Sequence, residues 1–258
     1  HHQKIKFFCL IIIYVRLSVN DIILCIEQNN MNGVSNMMDL KEAMKERHSV
    51  RQYTSSPLED GAVTELENEI KACNRESGLH IQLVRNEPKA FENFMAHYGK
   101  FRGVTNYIVL IGEKSSDLEE TCGYYGERLV LKAQQLGLNT CWAALTYSKI
   151  KTAFTVNSGE KLCAVIAIGY GKNCGVPHHS KSIDAVIEAD RPLPDWFRAG
   201  TEAALLAPTA MNQQKFRFIL KRNKVIAKAG FGFYTKLDLG IVKYHFEIGA
   251  GPDHFKWA

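Results

Sequence analysis

From Met38 onward the apolar positions fall into regular patterns. Asp39 with Glu42 three residues later predicts a capped start to a short helix running through Arg47. After Pro57, Val63, Leu66, Ile70 and Cys73 recur at three- and four-residue spacing, the stripe of a second helix. Leu79 to Val84 alternates like a strand with Leu79, Ile81 and Leu83 on one face. Tyr107 to Ile111 and Leu162 to Ile168 are continuous apolar runs, the pattern of strands buried on both faces. Between them, Asp117 to Leu136 reads as a long helix closed by Gly137. Past Pro192 and Pro194, the chain predicts a helix over Trp196 to Leu206, a hairpin of Phe216 to Leu220 with Val225 to Ala227, and a helix over Leu239 to Ile248. Helices and strands mix without strict βαβ alternation, which predicts an α+β fold with helices around a mainly antiparallel sheet.

Residues 1–37 do not share this regularity and read as a leader or added segment carrying no chemistry. Their apolar runs, Phe7 to Val15 and Ile22 to Ile26, are far shorter than the ~20 residues of a membrane-spanning helix. Lys4 and Lys6 before an apolar stretch loosely resemble a signal peptide, but no A-x-A-like site follows. Met31, Met37 and Met38 are candidate starts, with the functional chain expected to begin near Met38. No membrane partner is expected.

Composition narrows the classes. With 46% hydrophobic and 23% charged residues, the 258-residue chain is neither collagen-like, low-complexity nor wholly disordered. The net charge of +5 comes from basic residues that look scattered along the sequence rather than striped, so nucleic-acid binding gains no support and a small anionic ligand suits the balance equally. Seven cysteines, an odd number without CxxC, read as free, mostly core thiols of a cytoplasmic protein.

Gly126, Gly137 and Trp142 are echoed at nearly the same intervals by Gly240, Gly251 and Trp257. The echo predicts an internal duplication, with a first half over 38–190 and a shorter second half over 191–258. Two related halves in one chain imitate a two-fold dimer with a shared cleft.

Three stretches carry candidate chemistry. Arg47-His48-Ser49-Val50-Arg51 places two guanidiniums, an imidazole and a hydroxyl within five residues. In an extended chain Arg47, Ser49 and Arg51 project to one side, a donor fork suited to a phosphate monoester; taken alone, the cluster reads rather as a solvated basic helix end. Ala207-Pro208-Thr209-Ala210-Met211-Asn212-Gln213-Gln214 offers carboxamides and exposed backbone that match a planar heterocycle, or else an ordinary polar turn. Gly169-Tyr170-Gly171 follows the second apolar strand, with His178, His179 and Lys181 beyond it. The glycine spacing fails as a dinucleotide fingerprint. Adjacent histidines with Cys174 and no carboxylate make no metal site.

RHSVRQY, GERLVLKAQQLGLNTCW, AVIAIGYG and APTAMNQQKFRF together resemble the nitroreductase family of FMN-dependent oxidoreductases over roughly Met38 to Trp257. The late position of the PTAMNQQ segment resembles a two-half branch in which one chain holds both parts of the flavin site. The resemblance implies that Arg47, His48, Ser49 and Arg51, joined by Lys181, hold the FMN phosphate. It further implies that Pro208, Thr209, Ala210, Asn212 and Gln214 line the ring and ribityl chain, and that Ala143, Ala144 and Leu145 present backbone toward flavin N5. It implies hydride passing from transient NAD(P)H through the flavin to a small electron-poor acceptor such as a nitroaromatic or quinone. The protein would be a monomer imitating a dimer, or a homodimer. Lys215-Phe216 stands where many members have Pro-Trp, and the second half lacks the family's last strand. A flavin-binding protein with little turnover is the alternative.

Overall fold

The computed structural model of the protein describes residues 38–258 except 93, 145, 151, 191 and 223, with the side chain of residue 98 also set aside. The leader expectation, and Leu145, therefore lie outside the described residues.

Helix α1 (Leu40–Glu46) starts where Asp39 predicts: its Oδ1 accepts the Glu42 N–H at 2.8 Å. Helix α2 (Asp60–Ser77) buries the predicted stripe of Val63, Leu66, Ile70 and Cys73 and stops at left-handed Gly78. A first sheet is built from β1 (Gln82–Val84), β2 (Asn106–Glu113), β3 (Asn139–Ala143) and β4 (Glu160–Gly169), in the order β1-β2-β4-β3 and antiparallel throughout. Short α3 (Phe94–Tyr98) lies on the β1–β2 connection, and α4 (Leu118–Gln135) links β2 to β3. The unbroken apolar run of β2 has a simple cause. Ile108 and Leu110 face a core closed by α2 and α4, while Tyr107, Val109 and Ile111 face another containing Phe91 and Phe101.

A second sheet holds β5 (Ile187–Glu188), β6 (Phe216–Lys221), β7 (Lys224–Ala229) and β8 (Lys256–Trp257), in that order. β6 and β7 form the predicted antiparallel hairpin, whereas β5 with β6 and β7 with β8 run parallel. Helices α5 (Asp195–Ala204) and α6 (Thr235–Ala250) close its core, which is rich in aromatic rings: Phe197, Phe218, Phe246 and Phe255. The fold is thus α+β, and α6, which packs on both α4 and α5, joins the two sheets.

The glycine intervals read from the sequence do not mark equivalent positions in the two long helices. Helices α4 and α6 begin 117 residues apart (118 and 235), as do β3 and β8 (139 and 256). Gly240 therefore answers Gly123, not Gly126. A Cβ on Gly123 would collide with the Leu237 carbonyl, and one on Gly240 with the Glu120 carbonyl, so each helix seats its glycine on the carbonyl three residues before the other's glycine. Gly126 instead leaves room for the Trp142 ring.

The cysteine expectation needs one correction. Cys73, Cys122 and Cys141 are free and buried and Cys163 is free and half-buried, but Cys174 is disulfide-bonded rather than a free thiol.

Candidate functional site

Three stretches distant in sequence meet at the boundary between the sheets. The chain leaving α1 lies along the edge of the first sheet: Ser49 bridges Thr140 of β3, and Val50 N–H donates to the Thr140 carbonyl at 3.0 Å. The Tyr53 hydroxyl turns back to donate to the Val50 carbonyl at 2.7 Å, fixing this link. The link does not leave Arg47, Ser49 and Arg51 in one setting. Arg47, only 4% exposed, turns inward from the end of α1, while Ser49 is half-buried and Arg51 is exposed.

Arg47 enters a buried polar cluster that the sequence patterning does not reveal. Its Nε lies 3.8 Å from Glu127 Oε1, and its Nη2 donates to the Leu206 carbonyl at 3.4 Å. Glu127, on α4, also accepts from Trp142 Nε1 at 2.9 Å and faces His245 Nε2 at 2.9 Å. His245 Nδ1 donates to the Ala203 carbonyl, since a carbonyl only accepts. Burial pulls the Arg47 guanidinium below its ordinary pKa, against the pull of Glu127. Burial, and then the Arg47 charge, likewise lower the His48 imidazole. At neutral pH the His48 ring beside Arg47 is thus neutral rather than a further cation.

The stretch after β4 packs against the polar turn that follows α5. His178 Nε2 and Ser180 Oγ both donate to the Leu205 carbonyl at 2.9 Å. Lys181 Nζ donates to the carbonyls of Gln213 and Gln214 at 2.9 and 3.0 Å. The Gln214 carboxamide is buried, accepts the Lys181 N–H, and donates to the His179 carbonyl and to Asn212 Oδ1. Asn212 Nδ2 also donates to the His179 carbonyl. Thr209 Oγ1 accepts the Gln214 N–H at 3.1 Å. The side chains of Lys181 and Gln214 thus hold the two stretches together.

The turn itself is strained. Met211, Asn212 and Gln214 all have left-handed backbone, with φ of 52°, 52° and 45°. Asp238 on α6 clamps it: Oδ1 accepts the Ala210 N–H at 2.9 Å and Oδ2 accepts from Gln213 Nε2 at 2.7 Å. Burial raises the Asp238 carboxyl to about 6 in spite of these donors. Sequence reading misses Asp238, because it starts the helix at Leu239, and an acidic residue at a helix start looks like an ordinary cap or dipole partner.

Ala143 ends β3 with its methyl in the core, and half-buried Ala144 follows in a bend. Pro208, Thr209 and Ala210 are half-buried and lead into the clamped turn. Among the described residues no helix is long and apolar enough to cross a membrane, and no group of three His, Cys, Asp or Glu is placed to hold a metal ion.

The chain is thus an α+β protein of two sheets joined by a helix crossing, with the link after α1 reaching the Leu206 carbonyl through Arg47. The family described as "Putative TM nitroreductase" matches residues 39–250, and the chain belongs to that family. A Thermotoga maritima protein named as a "putative nitroreductase" shares the fold at TM-score 0.60 and 22% identity, over 86% of this chain and 88% of its own. A Desulfovibrio desulfuricans protein named as a "putative nitroreductase in complex with FMN" aligns at TM-score 0.47 and 19% identity over 62% of this chain and all of its own. No curated protein matches the chain.

Proposed function

We propose that the protein is an FMN-dependent oxidoreductase that takes reducing equivalents from NAD(P)H and passes them to a small electron-poor acceptor, a nitroaromatic or a quinone. The observation that carries this reading is the meeting of the 47–51 link, the 178–181 stretch and the 205–214 turn, tied by Arg47 to Leu206 and by Lys181 to Gln213 and Gln214.

The donors present fit an anionic flavin. Arg47 Nε is buried without a hydrogen-bond partner, and Arg51 is exposed with no ion pair among the described residues. A phosphate needs such charged donors. In this reading Arg51, Ser49 and His48 bind the phosphate, with Arg47 steering from beneath and Lys181 holding the neighbouring wall. Pro208, Thr209, Ala210 and Asn212 border the ring and ribityl chain, while Gln214 keeps the turn in its left-handed form. Ala143 and Ala144 bring backbone toward the reactive edge. Bound FMN supplies the two-electron chemistry, and the protein supplies binding and orientation. The clamp from Asp238 fixes the turn so that Asn212 meets its ligand already oriented.

One observation favours the quieter alternative, a flavin-binding protein with little turnover: Lys181 and Gln214 spend their polar groups within the chain. The absorption spectrum of the purified full chain, recorded before and after NADPH without oxygen, separates the readings. A band near 450 nm that bleaches supports the oxidoreductase, a band that persists supports the binding protein, and a colourless protein that takes up no added FMN refutes both.

A further inference from the structure

The basic residues that look scattered along the sequence are gathered by the register of the second sheet. Phe216, Phe218, Leu220, Val225 and Ala227 face its core, so the alternate positions lie on the opposite face, where Arg217, Lys221, Lys224 and Lys228 are exposed and Ile219 between them is only 6% exposed. On that outer face Arg217 stands opposite Lys228, Lys221 opposite Lys224, and Lys224 opposite Lys256. Like charges placed directly opposite repel. No ion pair among the described residues involves any of these five cations. Glu188 on β5 is the single acid the ladder places there, level with Ile219.

Just past this face the chain raises apolar side chains into solvent. Phe231 is 98% exposed, Phe233 78% and Met211 82%. The loop bearing the two rings is anchored through its backbone: Gly230 N–H donates to the Lys215 carbonyl at 2.7 Å, and Gln213 Nε2 donates to the Phe233 carbonyl at 2.8 Å. The second bond also ties the loop to the Met211 turn.

We propose that this face and loop dock on an anionic lipid bilayer. Arg217, Lys221, Lys224, Lys228 and Lys256 meet the headgroup phosphates, and Phe231, Phe233 and Met211 enter the boundary beneath them. Docking of this kind needs no spanning segment. A single-stranded nucleic acid fits less well, because binding one uses rings set among the cations as a stacking surface. Here the row between the charged pairs is Ile219 with Ile226, and the rings stand outside the charged face.

The test is sedimentation of the purified full chain with vesicles of phosphatidylcholine alone, or with phosphatidylserine added. The chain is expected to pellet only with phosphatidylserine present and to be released by high salt. At about fivefold per cation, Arg217→Gln with Lys228→Gln weakens partitioning about 25-fold. Phe231→Ser with Phe233→Ser weakens it while leaving the salt dependence in place. All four positions are exposed, and circular dichroism melting verifies that each variant folds. Equal binding to neutral vesicles, no binding to either, indifference to both pairs of substitutions, or preference for a single-stranded oligonucleotide over phosphatidylserine vesicles each overturns the proposal. None of these outcomes depends on flavin content, so the test stands apart from the proposed enzymatic function.

Discussion

Arg47 and Glu127 face each other inside the protein at 3.8 Å, one from the end of α1 and the other from the middle of α4, and neither side chain has meaningful contact with solvent. Since Glu127 also holds Trp142 and His245, the ion pair ties the first sheet to both long helices.

Removing one member of such a pair leaves a buried charge without compensation. Glu127→Ala is expected to destabilise the fold by about 3–5 kcal/mol. The double variant Arg47→Met, Glu127→Gln is expected to lose less than Glu127→Ala, because no net charge remains buried. Urea unfolding of the three proteins checks the order, and a double variant that is the weakest would sink the argument.

The crossing of α4 and α6 permits no side chain at its centre. Gly240→Ala and Gly123→Ala each drive a methyl into a backbone carbonyl on the opposite helix. Backbone cannot swing aside as a side chain does, so each is expected to cost at least the upper part of the roughly 1–3 kcal/mol typical of overpacking. Gly61→Ala, on α2 with open space around it, is the control and should leave the melting temperature unchanged or slightly raised.

Asp238 gives a pH signature whose sign is fixed. Its folded pKa, near 6, lies above the value of about 4 for an unfolded aspartate, so the native state binds the proton more tightly. Stability from this group is present below pH 4 and is lost as pH rises through 6. Asp238→Asn removes that loss. The stability of the variant relative to the parent is expected to rise by roughly 2–3 kcal/mol between pH 4 and pH 8. A difference that stays flat across that range would mean that Asp238 titrates normally.

The proposed binding of the FMN phosphate by the 47–51 link can be tested by separating charge from shape. Arg51→Ala removes a charged donor that only the phosphate can use, so affinity for FMN should fall roughly 10- to 150-fold while affinity for riboflavin holds. Fluorescence titration with both ligands measures the contrast. Parallel losses would assign Arg51 a structural role.

Much of this was readable in advance. The stripe of α2, the Asp39 cap, the doubly buried β2 and β4, and the β6–β7 hairpin all follow from local periodicity and capping chemistry. What stayed hidden depends on register or on tertiary neighbours. Glu127 and His245 look like ordinary polar helix positions until α4 and α6 bring them to 2.9 Å. Arg217 and Lys228 are eleven residues apart in sequence and become neighbours only when the hairpin pairs them. Two-residue β5 and β8 are too short to show a pattern, so the division into two sheets and the two parallel pairings could not be read. The outward fork of Arg47, Ser49 and Arg51 rested on an extended backbone, which Arg47 does adopt, but backbone alone does not decide where its side chain goes. The buried carboxylate beneath α1 draws Arg47 out of that row.

The two sheets share no strand, and the chain passes from one to the other once, through the exposed stretch around Val176. The contact that reunites them is a core-like helix crossing. A backbone cut at Val176 would therefore turn folding into an encounter between two fragments that recognise each other through reciprocal glycines. The melting point of the nicked protein would then fall on dilution, as that of a dimer does, while the intact chain melts at one temperature whatever its concentration.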